Sequence, residues 1–287
     1  MCRYSFLIIV VLIFHAVFNF IWIQKNNLPV GHDEALHIGN FLKFKDIIDS
    51  DLSLFDKAKK AVFVDVDYPP LFYALSYLYS KIWKISFRHL EYLSTIFFIL
   101  SIFMVFKIGA LLKDQKLGFY SASLFGFYPI CYHFSRVYGL DLFMLFWVLL
   151  SLFLFLKAQN RMFSDIKIML LLGASLGFGM LSKQYFFIFL IAPVLTLVKR
   201  KHFNKRAVFC FAAAALLMIL IALIFYSGYL LPGKKGSDIF YRVQLIDDTG
   251  WYPKYQIFNH FYYIYSVIFE QVSLFNFILF FILIYSP

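Results

Sequence analysis

An all-α bundle that crosses a membrane several times is the fold predicted by this sequence. Three observations predict it. Of the 287 residues, 62% are hydrophobic and only 15% are charged, whereas a soluble domain has roughly 45–50% apolar and ~25% charged residues. The mean hydropathy is +0.76. Several apolar runs of roughly 20 residues match the thickness of a bilayer core. These features exclude an ordinary cytosolic protein, and the 39 Phe, 20 Tyr and 4 Trp residues exclude a disordered chain.

Eight membrane spans are predicted, with both ends of the chain in the cytoplasm. The first apolar run follows Arg3 and is long enough to be an uncleaved anchor. The stretch 168–198 would be about 46 Å long as one helix, which exceeds the bilayer core, so we expect two short spans that meet at Ser182-Lys183-Gln184. Gly173, Gly177 and Gly179 would let the first of them pack closely. The other runs are 4–23, 90–112, 117–134, 141–157, 207–230 and 261–285.

The membrane orientation of all later spans depends on whether segment 70–86 crosses the membrane. Its polar residues recur every three to four positions, which predicts an interfacial helix with one wet face rather than a span. The polar set is Tyr73, Ser76, Tyr77, Ser80, Lys81 and Lys84, and the apolar set is Leu71, Leu75, Leu78, Ile82 and Ile85.

Charge distribution supports this topology. If 70–86 does not span, the loops 113–116, 157–167 and 199–206, which hold ten Lys and Arg residues, all face the cytoplasm. The net charge of +11 then reflects contact with anionic lipid and not with nucleic acid. The external segments are the long loop 24–89, two short turns at 135–140 and 182–184, and the loop 231–260.

The three cysteines lie far apart and are interpreted as packing residues: Cys2, Cys131 and Cys210.

Candidate chemistry begins in the first external loop. Asp33 and Glu34 are adjacent carboxylates just beyond the first span, where a general base or a cation site is possible. The structural alternative makes Asp33 a helix N-cap. A second candidate, Asp141, begins an apolar span, where an ionisable residue is costly; the alternative is a helix-dipole partner.

Two cations complete the set. Arg136 is expected to pair with Asp141 or to bind phosphate. Lys183 lies at the outer end of two short spans, and its structural alternative is snorkelling to the lipid headgroups. Acids and bases at one membrane depth suit an anionic lipid headgroup and a polar acceptor.

These residues resemble the GT-C polytopic glycosyltransferases, which use polyprenyl-phosphate sugars and include the protein O-mannosyltransferases and the lipid A aminoarabinose transferases. Four short matches occur in the same order: Asp33-Glu34, Tyr68 to Leu71 (Tyr-Pro-Pro-Leu), Ser135-Arg136 with Asp141, and the glycine-rich run from Gly173 to Lys183. The resemblance covers residues 1–200 as a catalytic module. Residues 201–287 would be further spans and the fourth external loop, incomplete relative to the family.

The resemblance implies a role for each matched residue. Asp33 would be the catalytic base, with Glu34 supporting it and Asp141 lining the same pocket. Arg136 and Lys183 would bind the donor phosphate. His37, Asp67 and Tyr68 would line the pocket, and Tyr68 replaces a basic residue found in some relatives. Parts of the class use a divalent metal, for which Asp67 and His260 are candidates, but no cofactor is assigned.

The implied reaction is transfer of a sugar from a polyprenyl phosphate to an acceptor hydroxyl with inversion. The acceptor is a glycan, a lipid or a protein, and the site faces outward from a bacterial inner membrane. Two alternatives remain at this point. One is an inactive relative or membrane scaffold. The other is a lipid or solute transporter, which would be expected to show inverted repeats and mid-membrane charges.

Overall fold

Residues 3–26, 31–65, 68–83, 87–197 and 204–230 are described by the structure, a computed structural model. These ranges contain α-helices and no strands. The helices are α1 (Arg3–Lys25), α2 (His32–Asp49), α3 (Leu54–Val62), α4 (Leu71–Ile82), α5 (Phe87–Leu112), α6 (Gln115–Gly126), α7 (Pro129–Phe134), α8 (Asp141–Gln159), α9 (Ile166–Met180), α10 (Ile188–Leu197) and α11 (Lys205–Leu230).

The predicted fold class, a helical membrane bundle, is confirmed. Within the described ranges, four helices are long and apolar enough to cross a membrane, and α9 is a shorter apolar helix. The four segments are Arg3–Lys25, His89–Leu112, Asp141–Gln159 and Lys205–Ser227. The total of eight spans stays a prediction, because the run 261–285 and the loop 231–260 lie outside the described residues.

Side-chain hydrogen bonds mark the two ends of the bundle. At one end, Ser5 Oγ donates to Gln115 Oε1 at 3.1 Å, between the starts of α1 and α6. At the opposite end, Gln24 Nε2 donates to Tyr92 Oη at 2.7 Å, between the end of α1 and the start of α5. Tyr226 Oη donates to the Met180 carbonyl at 3.1 Å, which brings the ends of α11 and α9 to this second end. We call this second end, which also carries α2 to α4, the site end.

The run 117–134 forms two helices and not one continuous helix. α6 ends at Gly126 and α7 begins at Pro129. Pro129 occupies the first turn of α7, where its missing N–H costs nothing, and the preceding Tyr128 takes the extended conformation that proline imposes, with ψ of 123°. The break directs the chain into the turn that carries Arg136.

Glycines set the close packing of α9, as predicted. A Cβ atom on Gly177 would lie 2.7 Å from the Cβ of Ile221 on α11, and one on Gly173 would collide with the backbone of Ala214. The absence of these side chains lets α9 and α11 approach each other closely.

Helix α4 has 12 residues and is about 18 Å long, too short to cross a bilayer core. The predicted wet face, however, was wrong. Tyr73 and Ser76 are fully buried, whereas Leu78 and Ile82 are 61% and 76% exposed. The reason is hydrogen bonding: Ser76 Oγ lies 2.7 Å from the hydroxyl of Tyr138, so the polar face finds partners inside the protein.

An aromatic core underlies the site end. The rings of Phe72 and Tyr138 lie 4.9 Å apart, and Phe143 packs 5.3 Å from Phe72 and 4.7 Å from Phe97. Phe41 of α2 is fully buried in the same cluster. This packing fixes α2 and α4 against α5 and α8, and so fixes the position of the residues that begin α2.

Candidate active site

The acidic pair lies in the first turn of α2. Gly31 is the N-cap residue, so Asp33 is not the cap that the structural alternative required. A carboxylate in this first turn interacts favourably with the positive end of the helix dipole. Asp33 is exposed and Glu34 is buried, although they are neighbours in the chain.

Glu34 ties α2 to the turn before α8. Its Oε1 accepts a hydrogen bond of 2.8 Å from the backbone N–H of Tyr138. Burial raises the pKa of Glu34, and the backbone groups of Tyr138 and Gly31 partly offset that rise by bonding the carboxylate. Glu34 therefore holds α2 against this turn, and its expected support of Asp33 in catalysis stays a prediction.

Asp33 and Arg136 face one cavity of about 430 Å³ at the site end. Arg136 does not pair with Asp141 as predicted. Its Nε donates to Asn19 Oδ1 at 2.9 Å. The guanidinium lies 3.7 Å from the ring centroid of Tyr132 and 4.6 Å from that of Trp22. The cavity is lined by Trp22, Asn26, Gly31, His32, Asp33, Glu34, Glu91, His133, Phe134, Arg136 and Val137.

Asp141 pairs instead with Lys183. The Nζ of Lys183 lies 2.5 Å from Oδ1 of Asp141. Asp141 begins α8 without a side-chain cap, in favourable interaction with the helix dipole. Lys183 is buried and does not snorkel, so that alternative is also wrong. Burial alone would lower the pKa of Lys183, but the Asp141 carboxylate outweighs burial and raises it, so the ammonium is charged.

Tyr68 and His37 lie beside this ion pair. The Nζ of Lys183 is 5.7 Å from the ring centroid of Tyr68, and the His37 ring packs edge-on against Tyr68 with centroids 5.2 Å apart. Four charged side chains act on His37: Lys183, Asp65, Asp141 and Asp33. Asp141, Lys183, Tyr68 and His37 do not line the cavity that Asp33 and Arg136 face, so the predicted site residues lie in two groups among the described residues and not in one pocket.

One buried acid was not singled out from the sequence. Asp65 accepts hydrogen bonds from Asn40 Nδ2 at 2.6 Å, from Tyr73 Oη at 2.8 Å and from the backbone N–H of Tyr68 at 3.3 Å. Its apolar neighbours in sequence, Val64 and Val66, were the signal of burial that could have found it.

The two metal candidates, Asp67 and His260, lie outside the described residues. Among the residues that the structure does describe, no group of three His, Cys, Asp or Glu side chains is arranged to hold a metal ion.

A sequence profile of the dolichyl-phosphate-mannose-protein mannosyltransferase family matches residues 67–226, more than half of the chain. The chain belongs to this family. No curated protein matches the sequence. The GT-C resemblance predicted from the four short motifs is confirmed.

A solved structure has a similar fold. The crystal structure of the oligosaccharyltransferase of Archaeoglobus fulgidus in its apo form matches with a TM-score of 0.54 and 16% sequence identity. The match covers 98% of this chain and 39% of the archaeal protein, so the chain spans well under half the length of that relative.

The family match includes part of the site. Tyr68, Arg136, Asp141 and Lys183 lie inside the matched range 67–226, whereas Asp33, Glu34 and His37 precede it. The membership of this mannosyltransferase family supports a multi-pass membrane glycosyltransferase as the protein class.

Proposed function

We propose that this protein transfers a sugar from a polyprenyl-phosphate donor to an acceptor hydroxyl. The observation that carries the proposal is that Asp33 and Arg136 line one cavity at the site end. The Lys183–Asp141 pair lies beside Tyr68, which packs against His37, one helical turn after Asp33. A carboxylate base beside fixed cations suits attack on an anionic lipid-linked sugar.

Asp33 accepts the proton of the acceptor hydroxyl as its oxygen attacks the anomeric carbon. A new carbon–oxygen bond forms while the bond from the anomeric carbon to the phosphate oxygen breaks. The polyprenyl phosphate leaves with the bonding electrons as an anion, so no general acid is required. Arg136 and Lys183 stabilise the charge that develops on the phosphate. This single displacement inverts the anomeric centre.

The two cations differ in the contacts that they already make, and so in their availability to bind phosphate. Arg136 donates its Nε–H to Asn19, packs on two aromatic rings and lines the cavity, where a guanidinium can bind a phosphate bidentately. Lys183 forms an ion pair with Asp141, so a bound phosphate would share the positive charge of Lys183 with that carboxylate.

The site is proposed to face outward from a bacterial plasma membrane. Support comes from the opposite end of the bundle, where the basic loops gather. Lys113 lies between α5 and α6, and Lys116 is in the first turn of α6. Arg161 lies between α8 and α9, Lys167 is in the first turn of α9, and Lys205 and Arg206 begin α11. Positive charge concentrates on the cytoplasmic side of membrane proteins. Residues 1–200 are proposed as the catalytic module, with a glycan, lipid or protein as acceptor.

The proposal is tested with Asp33→Asn in purified membranes and a panel of labelled polyprenyl-phosphate sugars. Loss of the base should lower transfer at least about 100-fold. Asp46→Asn is the matched control, because Asp46 is an exposed acid on the same helix, α2. Equal membrane insertion of both variants with full transfer by Asp33→Asn would remove Asp33 from the base role. Solute or lipid movement by the wild-type chain without any sugar transfer would favour a transporter.

A further inference from the structure

A buried hydrogen-bonded chain runs from Asp65 to His37. The hydroxyl of Tyr73 lies 2.8 Å from Oδ2 of Asp65 and 3.0 Å from Nδ1 of His37. All three residues are at most 7% exposed. The Asp65 carboxylate also accepts from Asn40 and from the backbone N–H of Tyr68, so three donors hold its position.

Counting protons along this chain fixes its direction. A carboxylate is an acceptor only, so the single hydroxyl proton of Tyr73 is donated to Asp65. The Tyr73 oxygen can then only accept from His37, and Nδ1 of His37 must carry a proton. In a neutral imidazole this leaves the lone pair on Nε2.

The surroundings keep the imidazole neutral. The pKa of His37 is lowered, first because burial disfavours the imidazolium and second because of the Lys183 ammonium. Three carboxylates act in the opposite direction and do not reverse the shift: Asp65, Asp141 and Asp33. Tyr68 and Tyr73 complete the set of titratable groups packed against the ring.

The lone pair of Nε2 has no hydrogen-bond partner among the residues that the structure describes. Two neighbours indicate what it meets. His37 follows Asp33 by four residues, so the two side chains share one face of α2. The ring of Tyr68, against which His37 packs, is also the ring next to the Lys183 ammonium.

We infer that Asp65 and Tyr73 hold His37 as the Nδ1–H tautomer, so that Nε2 accepts a hydrogen bond from a hydroxyl of the donor sugar. This inference rests on the proposed transfer reaction. The donor sugar is the assigned source because its phosphate would lie at Lys183, and the Tyr68 ring lies next to both the Lys183 ammonium and His37. Tyr73 and Asp65 act as positioning residues.

The tautomer is tested without any activity measurement. Nitrogen NMR of protein labelled on histidine, compared with His37→Gln, identifies the His37 signals. The expected result at pH 7 is a protonated Nδ1 and a bare Nε2. Tyr73→Phe should abolish this single tautomer, whereas Tyr77→Phe should leave it, because Tyr77, on the same helix as Tyr73, donates instead to the exposed Asp49 of α2 at 2.7 Å. A protonated Nε2 in the wild-type protein would overturn the inference.

Ligand contact is tested in the same spectra. Undecaprenyl phosphate carrying a hexose should shift the Nε2 signal, and undecaprenyl phosphate alone should not. Equal shifts, or no shift with either lipid, would contradict the assigned contact. A shift in a protein that shows no sugar transfer would support the contact while removing the proposed reaction, so the two failures are distinct.

The pH profile gives a further readout in an active preparation. The pKa of His37 lies below the ordinary value of 6.5. Above this pKa the lone pair on Nε2 is available as an acceptor, and it is lost as the pH falls through the pKa. His37→Gln keeps an acceptor that does not titrate, so it should remove this acid limb of kcat/KM. His37→Leu should lower kcat/KM about tenfold, the size expected for one lost hydrogen bond. An unchanged acid limb in His37→Gln would rule out the role.

Discussion

Lys183 and Asp141 form an unequal ion pair. Their atoms Nζ and Oδ1 are 2.5 Å apart, yet only 7% of the lysine side chain is exposed compared with 44% of the aspartate side chain. The pair joins the start of α8 to the turn between α9 and α10. Because the two partners differ in solvent access, removing one is not equivalent to removing the other.

The first prediction follows from this inequality. Asp141→Asn should lower the free energy of unfolding by about 3 kcal/mol, since it leaves a buried ammonium without its counter-charge. Lys183→Met should cost less, because the remaining carboxylate is in contact with solvent. Thermal unfolding of both variants in the same detergent measures the order. An equal or reversed order would contradict the assigned burial. Both variants should also lose transfer activity.

Glu34 should show a pH-dependent stability of a specific sign. Its pKa is raised in the folded protein, so the protonated form is favoured by folding, and stability is lost as the pH rises above the ordinary value of 4.5. Glu34→Gln keeps an acceptor for the Tyr138 N–H without a charge. It should match the wild-type melting temperature below pH 4.5 and equal or exceed it at pH 7.

Glu34→Ala is the contrasting variant. It leaves the buried N–H of Tyr138 without an acceptor, which should cost about 1–3 kcal/mol at every pH. A melting temperature for Glu34→Ala equal to that of Glu34→Gln would show that this hydrogen bond contributes nothing. Wild-type transfer by Glu34→Gln would restrict Glu34 to support of α2.

Arg136→Lys should weaken the use of the donor although the charge is kept. Lysine cannot reproduce the planar contact with Tyr132 or the bond to Asn19, and it cannot bind phosphate bidentately. We expect kcat/KM for the donor to fall about tenfold or more. Arg161→Lys is the control, because Arg161 forms an exposed ion pair with Asp165 at the opposite end of the bundle. Equal activity of the two variants would exclude Arg136 from phosphate binding.

Gly173→Ala should destabilise the bundle. The added Cβ atom would collide with the backbone of Ala214, and a backbone atom cannot move aside as a flexible side chain can. The expected cost is about 1–3 kcal/mol. Gly39→Ala on α2 is the control, since a Cβ there meets nothing within 4 Å and alanine favours helix. The control should be neutral or stabilising by about 0.5–1 kcal/mol.

Apolar runs and their lengths were enough to predict the helical membrane class, because the bilayer fixes helix length. The run 117–134 divides into two helices at Pro129, and this proline is the one sign of the break in the sequence. Its apolar neighbours hide the break, because the extended conformation of Tyr128 is a property of the backbone. The wet face of α4 was predicted wrongly, since periodicity shows that polar residues share a face but not whether Tyr138 is there to bond them.

The sequence offered candidate site residues where carboxylates and cations stand beside apolar runs, as at Asp33, Asp141 and Lys183, and their roles stay predictions. The pairing was not, because Asp141 and Lys183 are 42 residues apart and Arg136 is five residues away. The tertiary fold selects the distant partner. Asp65 was missed for the same reason, since its three donors come from positions 40, 68 and 73.

Tyr138 engages three elements at once. Its N–H holds Glu34 of α2, its hydroxyl meets Ser76 of α4, and its ring stacks within the aromatic core. The cavity wall that bears Asp33 is thereby braced as a single rigid unit. A ligand that enters the cavity therefore meets a wall held by two helices at once, and any movement that widens the cavity is expected in the part of the lining that Tyr138 does not hold.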